Sequence, residues 1–281
     1  MKEILTLCVR KKYASSLLAA NDGYDVDDDL KDIEVDTSSP IMKAIEIEAK
    51  EVWNKHHTFL VTSWHFKRKY SNKELQEAVA LQLDIKKMLE LDGVEFGTQY
   101  DENAACPICG ANRKQLSMLK LGKGRYLYKR DVALTMGGDI IVSKRFKDFV
   151  KDNSLSGVEL RQVYSQGKEE YYQLIIQPIV DLSCKTIFGS YIFNVCPDEG
   201  DEVYKCPRQD NLGLHLLSEV YLVNNNQLNQ YDFFISRQTY GVKRGLFRPR
   251  HLLFCTPRVM QLMHENTIRG FNFEVAHIDE D

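Results

Sequence analysis

Residues 140–160, IIVSKRFKDFVKDNSLSGVEL, and residues 253–273, LFCTPRVMQLMHENTIRGFNF, align at a constant offset of 113 positions, and the unit they share decides the fold. Each reads as a buried strand, a Ser or Thr at a helix N-cap, and a helix with its apolar stripe at i, i+3 and i+4. A polar turn closed by Gly and a second strand follow. The alignment matches Ser143 with Thr256, Arg145 with Arg258, Asn153 with Asn266, and Gly157 with Gly270. Two such units imply a pseudo-symmetric scaffold or two subdomains of one plan. Coincidence is the alternative, because strand-helix-strand patterning is common.

Working outward, residues 171–181 and 186–195 are rich in β-branched and aromatic residues and read as strands, and 212–222 as a short helix or strand. Upstream, residues 2–13 suit a strand leading into a loop. Pro40 opens a helix through Trp53, and residues 58–66 form a strand. Ser71 and Glu74 make a capping box, and the apolar spacing after it predicts a helix over 75–89. The expected fold is α+β: mixed sheets with packed helices, a zinc-knuckle tether and the two similar units. Residues 1–95 form an N-terminal region and 96–281 the body.

The chain has 281 residues, 43% hydrophobic and 27% charged, which is enough apolar material for a sizeable core. A formal net charge of −3 argues against a surface that grips nucleic acid throughout. The apolar run in MKEILTLCVRKKYASS is too short and interrupted for a signal peptide, and no stretch reaches the length of a membrane span. A cytoplasmic, reducing location is expected for the seven cysteines.

Cys106-Pro-Ile-Cys109-Gly places two thiolates on one tight turn, half of a tetrahedral metal site. Downstream, Cys196 and Cys206 are each followed by Pro, as Cys106 is, and could supply the other two ligands. Buried free thiols and a redox dithiol are the competing readings, and no thioredoxin-like context supports the second. From Asp22 to Asp36 the chain is strongly acidic, with Asp25, Asp27, Asp28, Asp29 and Asp32 at its centre. Gly23 falls too early for a calcium loop and no Glu closes it. A solvated loop and a contact surface for a basic partner remain.

The segments FGTQYDENAACPICGA, GGDIIVSKRFKDF, GVELRQVY, YKCP, LLSEVYL, VKRGLFRPRHLLFC and GFNFEVAHI resemble a bacterial family related to the double-CxxCG-motif proteins, which are assigned as immunity proteins of polymorphic toxin systems. The resemblance runs from Phe96 to Ile278. It implies zinc at Cys106 and Cys109, and at Cys196 and Cys206, although the second Cys-x-x-Cys-Gly is replaced here by Cys-Pro-Asp-Glu-Gly. Asp210 or His215 could complete the site in place of Cys196.

Three functions follow as expectations. The first is non-catalytic neutralisation of a cognate toxin by protein–protein binding, with a basic nuclease as a fitting partner for the acidic run. The second is nucleic-acid binding through the knuckle and the basic-aromatic stretches at 64–70, 123–130 and 243–250. An enzyme ranks last, since the sequence holds no Gly-x-Ser-x-Gly, His-Glu-x-x-His, Walker loop or dinucleotide fingerprint.

Overall fold

The computed structural model describes residues 1–15, 23–189, 205–208, 210–224, 228 and 230–280. They fall into two compact units, Met1–Ser71 and the described residues from Asn72 onward. The architecture is α+β, with mixed sheets and short helices.

The N-terminal unit contains β1 (Lys2–Arg10), the helical turn α1 (Lys11–Ala14), β2 (Tyr24–Asp25), β3 (Leu30–Asp36), α2 (Pro40–His56) and β4 (Val61–Lys69). The strands form an antiparallel sheet in the order β2-β3-β1-β4. The helix starts where expected: Ser39 caps it through the Ile41 amide and Pro40 occupies the first turn. It ends at His56, three residues beyond Trp53, and is capped by His57 in the left-handed region. Its buried stripe, Met42, Ile45, Ala49 and Val52, packs on Leu5, Leu7, Ile33 and Val35. Alternation along β4 turns Trp64 and Phe66 toward this core and leaves His65, Lys67 and Lys69 exposed.

The C-terminal unit opens with α3 (Asn72–Glu77), β5 (Ala80–Ile85), β6 (Met88–Leu89) and a 3-10 turn, Gly93–Phe96. The helix expected over 75–89 therefore stops at Glu77. Residues 80–85 are instead a central strand, held between two strands from the far end of the chain, and this pairing overrides the helical spacing of the local sequence. The segment 72–95 thus pairs within the body rather than with the N-terminal sheet.

Next come β7 (Tyr100–Asp101), β8 (Lys114–Gln115), β9 (Lys120–Leu121), β10 (Val132–Thr135), β11 (Ile140–Ser143), α4 (Lys144–Asp152), β12 (Val158–Gln162), β13 (Tyr164–Ser165) and β14 (Tyr171–Ile176). They are followed by β15 (Ile179–Val180), β16 (Phe188–Gly189), β17 (His215–Leu216), β18 (Val220–Val223), β19 (Phe233–Tyr240), β20 (Arg250–Cys255), α5 (Pro257–Glu265) and β21 (Phe271–Asp279). The strand expected over 186–195 is described as far as β16, and the rest lies outside the described residues.

Both strand-helix-strand units form: β11-α4-β12 and β20-α5-β21. Their N-caps are Ser143 and Thr256, and their turns pass through positive φ at Ser154 (50°) and Thr267 (52°). The duplication is larger than the sequence alignment. The five-stranded sheet runs β12-β14-β11-β10-β6, and the six-stranded sheet contains the same arrangement as β21-β5-β20-β19-β15, with β18 added beside β21. In each sheet the second strand is antiparallel to both neighbours and the short fifth strand is parallel to the fourth.

The second strand is exchanged. β14, from the later repeat, sits between β11 and β12, while β5, from the earlier repeat, sits between β20 and β21. The exits match as well: the Lys86 amide donates to the Gly270 carbonyl at 3.0 Å and the Gln177 amide to the Gly157 carbonyl at 3.1 Å. Reciprocal contacts of this kind are the mark of a two-fold relation, here within one chain.

Candidate metal centre

β7 and β8 pair antiparallel and present residues 102–113 as the tip of a hairpin. Within it the Cys106 amide donates to the Ala111 carbonyl at 2.8 Å and the Gly110 amide to the Cys106 carbonyl at 2.8 Å. Gly110 takes φ +71°, as the turn requires. A Cβ at that position would lie 2.4 Å from the Lys243 side chain, which covers the turn. The backbone N–H groups of Cys109 and Ile108 donate to the Cys106 sulfur and hold its thiol below the ordinary range. Burial pushes the Cys109 thiol up to about 12, so Cys106 is the first thiolate of the pair.

Cys206 arrives from a position 100 residues away, with its sulfur 3.6 Å from that of Cys106. The three sulfurs of Cys106, Cys109 and Cys206 all lie within 4.8 Å of one another and can hold a metal ion. The spacing fits one: sulfurs about 2.3 Å from a tetrahedral ion stand roughly 3.8 Å apart, whereas a disulfide requires about 2.05 Å. Cys206 also repeats the turn of Cys106. Its amide donates to the Asn211 carbonyl at 2.9 Å, the same five-residue closure that Ala111 gives Cys106. The shared Cys-Pro was the sequence signal for this second half-turn.

Cys196, expected as the fourth ligand, lies outside the described residues. Of the substitutes, Asp210 brings Oδ2 to 4.0 Å from the Cys206 sulfur, while His215 lies on β17 and is not part of the cluster. Among the described residues, no His or carboxylate joins the three cysteines within 4.8 Å.

The acidic run is placed in the N-terminal unit. Asp25 is exposed at the end of β2, Asp27, Asp28 and Asp29 are exposed on the turn joining β2 to β3, and Asp32 is half-buried on β3. The turn is held by its own carboxylate, since Asp27 Oδ1 accepts from the Asp29 and Leu30 amides at 2.8 and 2.7 Å. Lys11 braces it through Asp25 Oδ1 at 3.0 Å.

No motif announces the polar cluster beside the knuckle. Arg113 Nη2 donates to both carboxylate oxygens of Asp92 at 3.1 and 3.0 Å, and its guanidinium stacks over Tyr100 at 3.7 Å. Tyr100 donates to Asp139 Oδ2 at 2.6 Å and Gln173 to Asp139 Oδ1 at 2.9 Å. Burial raises the Asp139 carboxyl to about 6 despite these donors and the nearby Arg113. Each residue is unremarkable in its local context, and only the meeting of β7, β8, β14 and the β10–β11 turn assembles them.

Among the described residues no helix is long and apolar enough to cross a membrane. Comparison with known protein families, with characterised proteins and with solved structures finds no match for this chain.

Proposed function

We propose that the protein is a cytoplasmic, non-catalytic binding protein of the immunity type, which neutralises a cognate bacterial toxin by covering a basic surface. The observation that carries this reading is the β2–β3 tip. Tyr24 is 61% and Val26 51% exposed there, interleaved with Asp25, Asp27, Asp28 and Asp29. An exposed aromatic anchor ringed by like charges on a braced turn is the chemistry of a protein contact with a basic face. The resemblance read from the sequence between Phe96 and Ile278 points to the same class.

Zinc is the metal we assign to Cys106, Cys109 and Cys206, because soft thiolates at tetrahedral spacing favour it. Its role is structural: it ties the β7–β8 hairpin to the segment around Cys206, so part of the folding free energy is metal-binding free energy.

The test is capture of the tagged protein from its host's lysate, followed by mass spectrometry. One stoichiometric protein, toxic when expressed alone, is expected. A triple variant, Tyr24→Ala with Asp28→Asn and Asp29→Asn, should bind it at least about tenfold more weakly. Undiminished capture by that variant removes the tip from the interface. Recovery of RNA or DNA lost at high salt, with no protein, overturns the class itself.

A further inference from the structure

The two large sheets of the C-terminal unit flank a cavity of about 470 Å³ that is open to solvent on one side. Its walls come from matched positions of the two repeats: Leu83 with Leu174, Leu134 with Ile235, and Ile140 with Leu253. Volume, apolar strand positions beside a few polar groups, and a position between two structural repeats are the attributes of a small-molecule site, and on this lining Arg113, Arg161, Arg248 and Arg250 outnumber the carboxylates Asp84 and Asp139.

One end departs from the symmetry. Arg113 and Arg248 line it, and both come from connections that the repeats do not share. The Arg113 side chain is only 6% exposed. Its Nη2 is committed to Asp92 and to the Gly137 carbonyl, but its Nη1 is buried with no hydrogen-bond partner. Arg248 Nε is buried without a partner in the same way. The two guanidinium groups are close to each other, since Glu102, which stands outside the cavity lining, brings Oε1 to 3.6 Å from Arg113 Nη1 and 3.7 Å from Arg248 Nη2, within ion-pair range but beyond hydrogen-bond length. Arg250, on the same lining, donates through Nε to the Tyr240 hydroxyl at 2.8 Å. Buried guanidinium N–H groups without a hydrogen bond are costly, and an oxyanion with two or more oxygens satisfies two of them at once.

We infer that this cavity binds a small organic anion, its apolar or aromatic body between the sheets and its carboxylate, sulfonate or phosphate accepting from Arg113 Nη1 and Arg248 Nε. The site is independent of the β2–β3 tip and of the toxin-binding reading.

The probe is 1-anilinonaphthalene-8-sulfonate, titrated into the full chain by fluorescence and calorimetry, with N-phenyl-1-naphthylamine as its neutral counterpart. One saturable equivalent of the sulfonate is expected, with the neutral compound bound at least about tenfold more weakly. Arg248→Gln should weaken the sulfonate by at least about tenfold, with a cooperative thermal melt showing that the variant is folded. Leu253→Trp, which fills the cavity, should abolish it. Glu102→Gln removes the carboxylate that stands near Arg113, Arg248 and Lys243, and by removing this competitor it should tighten binding. No saturable binding, equal affinity for the neutral compound, or an unchanged affinity in Glu102→Gln would each overturn the inference.

Discussion

Arg145 reaches from α4 to Thr267, just beyond the end of α5, where its Nη2 donates to the Thr267 carbonyl at 2.7 Å and to Oγ1 at 2.6 Å. Its counterpart Arg258 does the reverse, donating from α5 to the Asn153 carbonyl at the end of α4 at 3.3 Å. Each helix therefore has its terminal carbonyls capped by the other repeat's arginine, a favourable arrangement at the negative end of a helix. The backbone repeats the exchange. Asp131 accepts from the Arg269 amide at 2.8 Å, and Asp232 accepts from the Ser156 amide at 2.9 Å.

Removing one of these caps should destabilise the body without unfolding it. Arg145→Ala and Arg258→Ala are each expected to lower the unfolding free energy by about 1 kcal/mol, the usual net worth of such hydrogen bonds. Urea denaturation reads the effect. Two unchanged midpoints would mean that the crossed caps contribute nothing to holding the repeats together.

The glycine that ends the first repeat's turn is under a stricter demand. Gly157 adopts φ +85°, and a Cβ there would stand 2.2 Å from the Phe233 carbonyl oxygen. Gly138 has a similar φ of +93° with nothing within 4 Å. Gly157→Ala should therefore cost roughly 3–5 kcal/mol, against about 1–2 kcal/mol for Gly138→Ala, where only the backbone conformation is penalised. Thermal melts of the two variants distinguish steric closure from φ strain; equal losses would show that β19 gives way.

Local signals made the strand-helix-strand units legible: Ser143 and Thr256 at the N-caps, Gly157 and Gly270 at the turns, and the apolar stripes between them. The exchanged strands were not. β5 and β14 correspond at a spacing of 91 rather than 113, because the connections between them and the units differ in length. No single alignment register spans both. Leu81 and Leu83 belong to a helix by local spacing and to a strand by partners some 170 residues away, Cys255 and Leu253. The knuckle was readable at Cys106 and Cys109 because two ligands share one turn. Arg113 and Arg248 had no signature at all, since burial without a partner is a property of the folded molecule.

The cysteine cluster predicts a metal-dependent fold. Chelation should lower the melting temperature, and Cys106→Ser should do the same while losing the metal measured by plasma emission spectrometry. The loss amounts to several kcal/mol if the ion is bound as tightly as in small zinc domains. Cys255 serves as the control, because it is fully buried and stands apart from the cluster, so Cys255→Ala should leave metal content at its original level. A melt indifferent to chelator, with no metal in the purified protein, would remove the site.

Asp139 makes stability depend on pH in a direction opposite to that of most carboxylates. Its folded-state carboxyl titrates at about 6, raised from an ordinary 3.8 chiefly by burial. Between these values the folded state holds a proton that the unfolded state has released, so stability falls as pH rises through the window. The full benefit is present below about pH 3.8 and has gone above about pH 6, and a shift of this size corresponds to about 3 kcal/mol. Other carboxylates titrate in the same range, so the diagnostic is a comparison. Asp139→Asn keeps the shape and cannot ionise. Urea midpoints for the two proteins between pH 4 and pH 7 should therefore converge at the acid end less the hydrogen bonds that Asn fails to reproduce, and the variant should gain relative to the native chain as pH rises. Parallel curves would show that Tyr100, Gln173 and Arg113 stabilise the charged carboxylate enough to cancel the burial that raises it.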